Sequence, residues 1–148
     1  MTKYLFILFS WLICFSAKSQ QNAVVFDHMA LSVTNLKKSV EFYRKTLGLK
    51  EITNKTKQPG IRWMSLGEGK ELHLVSTIDG NIEINKAVHM AVKVKDFDAF
   101  IERLRSMNIT FSDWPGELNV VSVRADGIRQ IYFQDPDGYW IEVNSATL

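Results

Sequence analysis

The chain repeats itself, and the repeat limits what it can fold into. Phe26-Asp27-His28-Met29-Ala30-Leu31-Ser32-Val33 is echoed by Ala87-Val88-His89-Met90-Ala91-Val92-Lys93-Val94, so that His28 and His89 lie 61 positions apart. Gly60-Ile61-Arg62 returns as Gly127-Ile128-Arg129, and the pattern Gly69-Lys70-Glu71-Leu72-His73-Leu74 returns as Gly138-Tyr139-Trp140-Ile141-Glu142-Val143. Three matches in one order mark a duplicated unit of roughly 60 residues. A unit that small cannot cover both faces of a sheet, so two of them must share a core.

Each unit reads as βαβββ. Val24 to Val33 and Ala87 to Val94 alternate as half-buried strands do, with Met29, Leu31 and Val33 on one face and His28, Ala30 and Ser32 on the other. A helical stripe of Leu36, Val40, Tyr43 and Leu47 follows, and Gly48 suits its left-handed end. In the second unit Asp96 is the expected N-cap, with Phe97, Phe100, Ile101, Leu104 and Met107 as the apolar face. Three strands then close each unit: 49–56, 61–66 and 71–76 in the first, 109–114, 128–134 and 139–144 in the second. The stretch 115–126 is extra length, read as loop and extended chain that can cover a site. The expectation is an α+β fold of two βαβββ modules, 24–76 and 87–145 with a linker over 77–86, forming one curved mixed sheet around a cleft.

The first 19 residues read as an address. Lys3 precedes an almost unbroken apolar run from Tyr4 to Phe15, and Ala17-Lys18-Ser19 provides small residues for cleavage. The run is short for a bilayer-spanning helix, which needs about 20 residues. Residues 1–19 are therefore expected to be a signal peptide and 20–148 a single exported domain, periplasmic or secreted, with no stable membrane insertion after cleavage. The formal charge of +2 includes Lys3 and Lys18, so the mature domain has no basic excess to attract nucleic acid. The single cysteine, Cys14, falls within the same segment, so a metal in the mature domain would need nitrogen and oxygen ligands.

All three histidines fall at corresponding places in the repeat. His28 and His89 are each the first inward-facing residue of their unit's first strand, and His73 and Glu142 occupy matching positions on the last strands, four residues after Gly69 and Gly138. A lone strand histidine is usually a hydrogen-bonded core or surface residue. Four ligand-type side chains at symmetry-related positions instead suggest a metal site at the seam of a duplicated fold. Strand parity adds Glu71 and Val75 to the face of His73, and Trp140 and Asn144 to that of Glu142. Arg62 and Arg129 have the opposite parity and are read as solvated.

These residues carry a resemblance. His28 in the opening strand, Val88 to Val94 and the run Asp135-Pro136-Asp137-Gly138-Tyr139-Trp140-Ile141-Glu142-Val143 resemble the vicinal oxygen chelate superfamily, which includes glyoxalase I, over about 24–143. The resemblance implies one divalent ion (Zn, Ni, Co, Mn or Fe) held by His28, His73, His89 and Glu142, with Glu142 also the candidate catalytic base. Tyr132 resembles the substrate-contacting tyrosine of the fosfomycin-resistance branch; Gln130, Trp63, Ser65 and Trp140 complete the expected substrate-binding set. The implied activity is that of a lyase or isomerase stabilising an enediolate of a small oxygenated molecule, and the implied assembly a homodimer.

Two features complicate that implication. The lyase branch has glutamate where His73 stands, and an exported protein meets little glutathione. A ring-cleaving extradiol dioxygenase using His28, His89 and Glu142 is the alternative enzyme, and a non-catalytic binding or resistance protein the alternative of another class.

Overall fold

The computed structural model describes residues 24–77 and 83–147; the expected signal segment, and 78–82 of the linker, lie outside the described residues. Two βαβββ modules follow one another. The first contains β1 (His28–Ser32), α1 (Leu36–Leu47), β2 (Lys50–Ile52), β3 (Ile61–Gly67) and β4 (Lys70–Val75). The second contains β5 (His89–Lys93), α2 (Phe97–Ser106), β6 (Ser122–Val123), β7 (Arg129–Gln134) and β8 (Trp140–Asn144). The sheets have the matching orders β1-β4-β3-β2 and β5-β8-β7-β6, each with one parallel pairing at its first strand and antiparallel pairings elsewhere.

The architecture is the α+β duplication expected, with differences of detail. Among the described residues the ladders form two four-stranded sheets rather than one continuous ladder. Residues 109–114 form no strand: Ser112 makes only isolated bridges, to Leu118 and Tyr132. The fourth strand of the second sheet is β6, drawn from the stretch expected to be loop. Asp113 explains the exchange, because its carboxylate accepts from the N–H groups of Gly116 and Glu117 and turns the chain where a strand would continue.

Both helices begin and end as their sequences require. Asn35 caps α1 by accepting from Lys38 N, Gly48 ends it at φ 71°, and Asp96 caps α2 by accepting from Ala99 N. The most deeply buried positions of α1 are Ser39, Tyr43 and Thr46, while Leu36, Val40 and Leu47 are only partly buried. This burial reflects a second neighbour: one flank of α1 packs on the turn that carries the Asp-Pro-Asp-Gly sequence of the second module. Tyr43 donates its hydroxyl to Asp135 Oδ2 at 2.8 Å, and Asp137 accepts from Thr34 N, Thr34 Oγ1 and Ser39 Oγ at 2.9, 2.6 and 3.0 Å. Asp137 thus sits at the N-terminal end of α1, where the helix dipole favours an anion. Asp135 Oδ1 accepts from Asp137 N and Tyr139 N, and Gly138 takes φ 90° in the turn.

One apolar core spans both modules. Met64, Leu72, Leu74, Leu104, Ile131, Ile141 and Val143 are sealed from solvent, and Phe133 packs against Phe42 near α1's Tyr43 and against Phe100 of α2. Truncating a buried leucine such as Leu72 to alanine removes about 2–5 kcal/mol. The strand parity that buries Leu72 and Leu74 turns Glu71 and His73 to the opposite face, and burying Ile141 and Val143 likewise turns Trp140, Glu142 and Asn144 outward from the core.

Candidate functional site

In the first module, β1, β4 and β3 bring His28, His73 and Trp63 into one stack. Ala30 is opposite His73 across the parallel β1–β4 pair, and Trp63 is opposite His73 across β3–β4. The His28 and His73 ring centroids are 4.3 Å apart, and those of Trp63 and His73 4.2 Å. Each histidine has a carboxylate on one ring nitrogen: His28 Nδ1 is 2.6 Å from Asp27 Oδ2, and His73 Nε2 is 2.7 Å from Glu71 Oε2. Such pairing orients an imidazole and leaves its other nitrogen available for coordination. Ser65, opposite Glu71, accepts from Gly67 N.

The second module builds a tighter group. Tyr132 is opposite Glu142 across β7–β8, and Glu142 is opposite Ala91 across β8–β5, next to His89. Glu142 is buried, with Tyr132 donating its hydroxyl to Oε2 at 2.7 Å and Asn144 its amide to Oε1 at 2.8 Å. Burial, reinforced by the bond to Glu142, pushes the Tyr132 hydroxyl well above the usual phenol range, so it serves as a neutral donor. His89 Nδ1 is 2.8 Å from Lys86 O, the geometry of a donated N–H, and Nε2 lies 3.4 Å from Glu142 Oε2. With the proton on Nδ1, Nε2 and the carboxylate are two acceptors facing each other. A cation, proton or metal ion, satisfies that arrangement.

The sequence-predicted residues therefore come together as two pairs, His28 with His73 and His89 with Glu142. Among the described residues no group of three or more His, Cys, Asp or Glu stands where a single metal ion could be held. Both β1 and β5 border a groove of about 720 Å³ that includes His28 and His89 in its lining. The donor chemistry fits a divalent transition metal: imidazoles each hydrogen-bonded through one ring nitrogen and a carboxylate anchored by Tyr132 and Asn144.

The expected substrate-facing residues lie on these same faces. Trp140 is opposite His89, Gln130 is opposite Asn144, and Trp63 Nε1 and Gln130 Oε1 are buried without a protein partner among the described residues. Arg62 and Arg129 point elsewhere: Arg62 pairs with Glu51 at 3.3 Å, and Arg129 grips Asp98 of α2 at 2.7 and 3.0 Å. Three participants escape the sequence reading of the site, and a fourth, Asn144, is the one that strand parity puts on the Glu142 face. Arg124 places a guanidinium nitrogen 3.8 Å from Glu142, Asn144 donates to it, Trp114 stands edge-on to Tyr132 and His89, and Lys86 lies over the Trp140 ring. Arg124, Trp114 and Lys86 lie in irregular chain that carries no periodic signal.

Comparison with known proteins identifies the family. The profile of the Glyoxalase/Bleomycin resistance protein/Dioxygenase superfamily matches residues 25–143, and the chain belongs to that family. It is 30% identical to the metallothiol transferase FosB of Staphylococcus haemolyticus over 135 residues, covering 82% of this chain and 84% of that one. It is 23% identical to the lactoylglutathione lyase of Pseudomonas aeruginosa, with 92% and 90% covered. The crystal structure of lactoylglutathione lyase from Agrobacterium tumefaciens superposes with a TM-score of 0.64 at 20% identity, covering 85% of this chain and 96% of that one.

Proposed function

We propose that the chain is a metal-dependent enzyme acting on a small oxygenated molecule as a lyase or isomerase of the glyoxalase I type, and that two copies together complete each metal site. The observation that carries this reading is the division of ligand-type side chains into two pairs, His28 with His73 and His89 with Glu142, each held by neighbouring hydrogen-bonding groups and neither sufficient alone. In the proposed homodimer the first pair of one copy meets the second pair of the other. Trp114 and Leu118, large apolar side chains exposed beside Tyr132 at the second pair, are consistent with a covering partner.

When bound, a divalent ion supplies Lewis-acid polarisation of substrate oxygens. The chain's own residues supply the rest. Glu142, held by Tyr132 and Asn144, is the carboxylate positioned to take a proton next to a carbonyl. Trp63 Nε1 and Gln130 Oε1 offer an unused donor and acceptor for substrate polar groups. Export through residues 1–19, to the periplasm or beyond, belongs to the same proposal and rests on the composition of that segment.

A second reading, thiol transfer to a small electrophile, is supported by the 30% identity to the metallothiol transferase FosB over 82% of this chain.

Metal analysis of protein purified without chelator, followed by activity assays on the reconstituted protein, tests the proposal. Nickel, cobalt or zinc near one equivalent per chain, with solvent-proton exchange into a 2-hydroxy ketone or thiohemiacetal, is the expected result. Thiol addition without exchange would select the second reading, and iron with catechol cleavage would select the dioxygenase. Less than about half an equivalent of any transition metal after reconstitution contradicts the ligand assignment.

A further inference from the structure

Lys86 ends the linker three residues before His89, and its ammonium makes an unusual number of contacts for a side chain outside the regular elements. Nζ donates to Ser112 Oγ at 3.1 Å, to Asp113 O at 2.9 Å and to Trp114 O at 3.2 Å. It also lies 4.5 Å from the Trp140 ring centroid and 5.5 Å from that of Tyr132. An ammonium has three N–H donors, so the protein uses all of them, leaving none for a substrate anion. The two aromatic faces add cation–π attraction that holds the charge in place.

What Lys86 joins is informative. Residues 112–114 cross the site face: Ser112 exchanges backbone hydrogen bonds of 2.8 Å in both directions with Tyr132, and Trp114 stands 5.5 Å from the Tyr132 ring and 6.2 Å from that of His89. The backbone carbonyl of Lys86 takes the His89 Nδ1 proton, which turns Nε2 toward Glu142. One residue therefore grips the second half-site from both sides, by its side chain through Trp114 and by its main chain through His89.

We propose that Lys86 is a positioning residue for the second half-site: it anchors residues 112–114 so that Trp114 walls the pair His89 and Glu142, and it fixes the His89 ring with Nε2 available to a metal. The proposal rests on the reading of His89 and Glu142 as ligands, and its effects also register in metal-free protein. The decisive comparison is among wild type, Lys86→Met, which keeps the length and removes the charge, and Lys86→Arg. In metal-free Lys86→Met, Trp114 becomes more accessible to acrylamide, assigned by difference against Trp114→Phe, and the His89 Nδ1 proton loses protection in nitrogen-resolved NMR because the Lys86 carbonyl that accepts it is no longer held in place by the anchored side chain. The affinity for cobalt falls about tenfold, the size of effect typical of losing an outer partner of a metal ligand. Lys86→Arg restores part of all three.

Unchanged quenching and unchanged His89 signals in folded Lys86→Met overturn the proposal. If wild type binds no cobalt, the ligand reading has failed, and the two metal-free measurements still decide the role of Lys86. Should Lys86→Met not fold, Ser112→Ala takes its place. It removes one of the three acceptors and is expected to raise Trp114 quenching; no rise overturns the proposal.

Discussion

The two modules share a topology yet prepare their halves of the site differently. The first presents a stack open at one end, in which the His28 side chain is 43% exposed and His73 13%, and the partner carboxylates belong to its own strands or their flank. The second presents a buried carboxylate, 5% exposed, held by Tyr132 and Asn144 and walled by Trp114. The contrast teaches that one half is pre-organised by the fold whereas the other is oriented mainly by stacking and solvent-accessible hydrogen bonds, so damage to the two halves should not be equivalent.

The largest effect is expected from Glu142→Ala. It removes the proposed ligand and leaves Tyr132 and Asn144 facing a hole, so metal binding is expected to be lost in isothermal titration and stability to fall by about 1–3 kcal/mol in denaturant unfolding. His73→Ala, in the first half, is expected to weaken metal binding by about tenfold or more with a smaller loss of stability, because the carboxylate it leaves without a partner, Glu71, is partly exposed. Equal stability losses for the two variants would erase the contrast drawn between the modules.

Next in size is the joint between the modules. Tyr43→Phe deletes the hydroxyl from a buried hydrogen bond to Asp135, at a cost of about 1.5–3 kcal/mol. Burial raises the Asp135 carboxyl above its ordinary range, opposed by the bonds from Tyr43, Tyr139 N and Asp137 N. For an acid raised on folding, the favourable contribution is complete below the unfolded value and is lost as pH rises through the folded one. Without Tyr43 the carboxylate is less well satisfied, so the deficit of Tyr43→Phe relative to wild type is expected to grow from pH 4 to pH 7. Unfolding curves at the two pH values measure it, and a deficit that shrinks over that range would mean Asp135 is not the group responsible.

The smallest effect is expected from Arg129→Ala. Its pairing with Asp98 lies outside the site, and Asp98 is held below its ordinary range mainly by the hydrogen bond from Arg129. Metal affinity should be unchanged within error, and surface pairs of this kind contribute little to stability. A lost metal site in Arg129→Ala would bring the outer faces of the strands into the account.

What was legible in the chain follows from where periodic signals exist. The duplication, both helices with the Asp96 cap and the Gly48 terminator, and the faces carrying His28, His73, His89 and Glu142 were legible because repeats, helix ends and strand parity leave local signals; the Asn35 cap escapes that reading. The edge of the second sheet misleads: 109–114 has a strand's composition, but Asp113 bends it and β6 forms instead. The Asp-Pro-Asp-Gly run was visible as a turn into a strand, while its partners Thr34, Ser39 and Tyr43 are about a hundred positions earlier, beyond any local pattern. Lys86, Trp114 and Arg124 enter the site from irregular chain for the same reason. The separation of the four ligand-type residues into two pairs depends on how the modules dock, which is tertiary information.

The central claim, that half-sites from two copies complete one another, is tested most directly by mixing two inactive variants. His28→Ala/His73→Ala keeps only the second pair, and His89→Ala/Glu142→Gln keeps only the first. Co-refolded together, they form mixed pairs in which one of the two sites has a full set of ligands. The account predicts that neither variant alone binds cobalt tightly and that the mixture recovers tight binding in the mixed species. No recovery in a mixture shown to contain paired chains would contradict it.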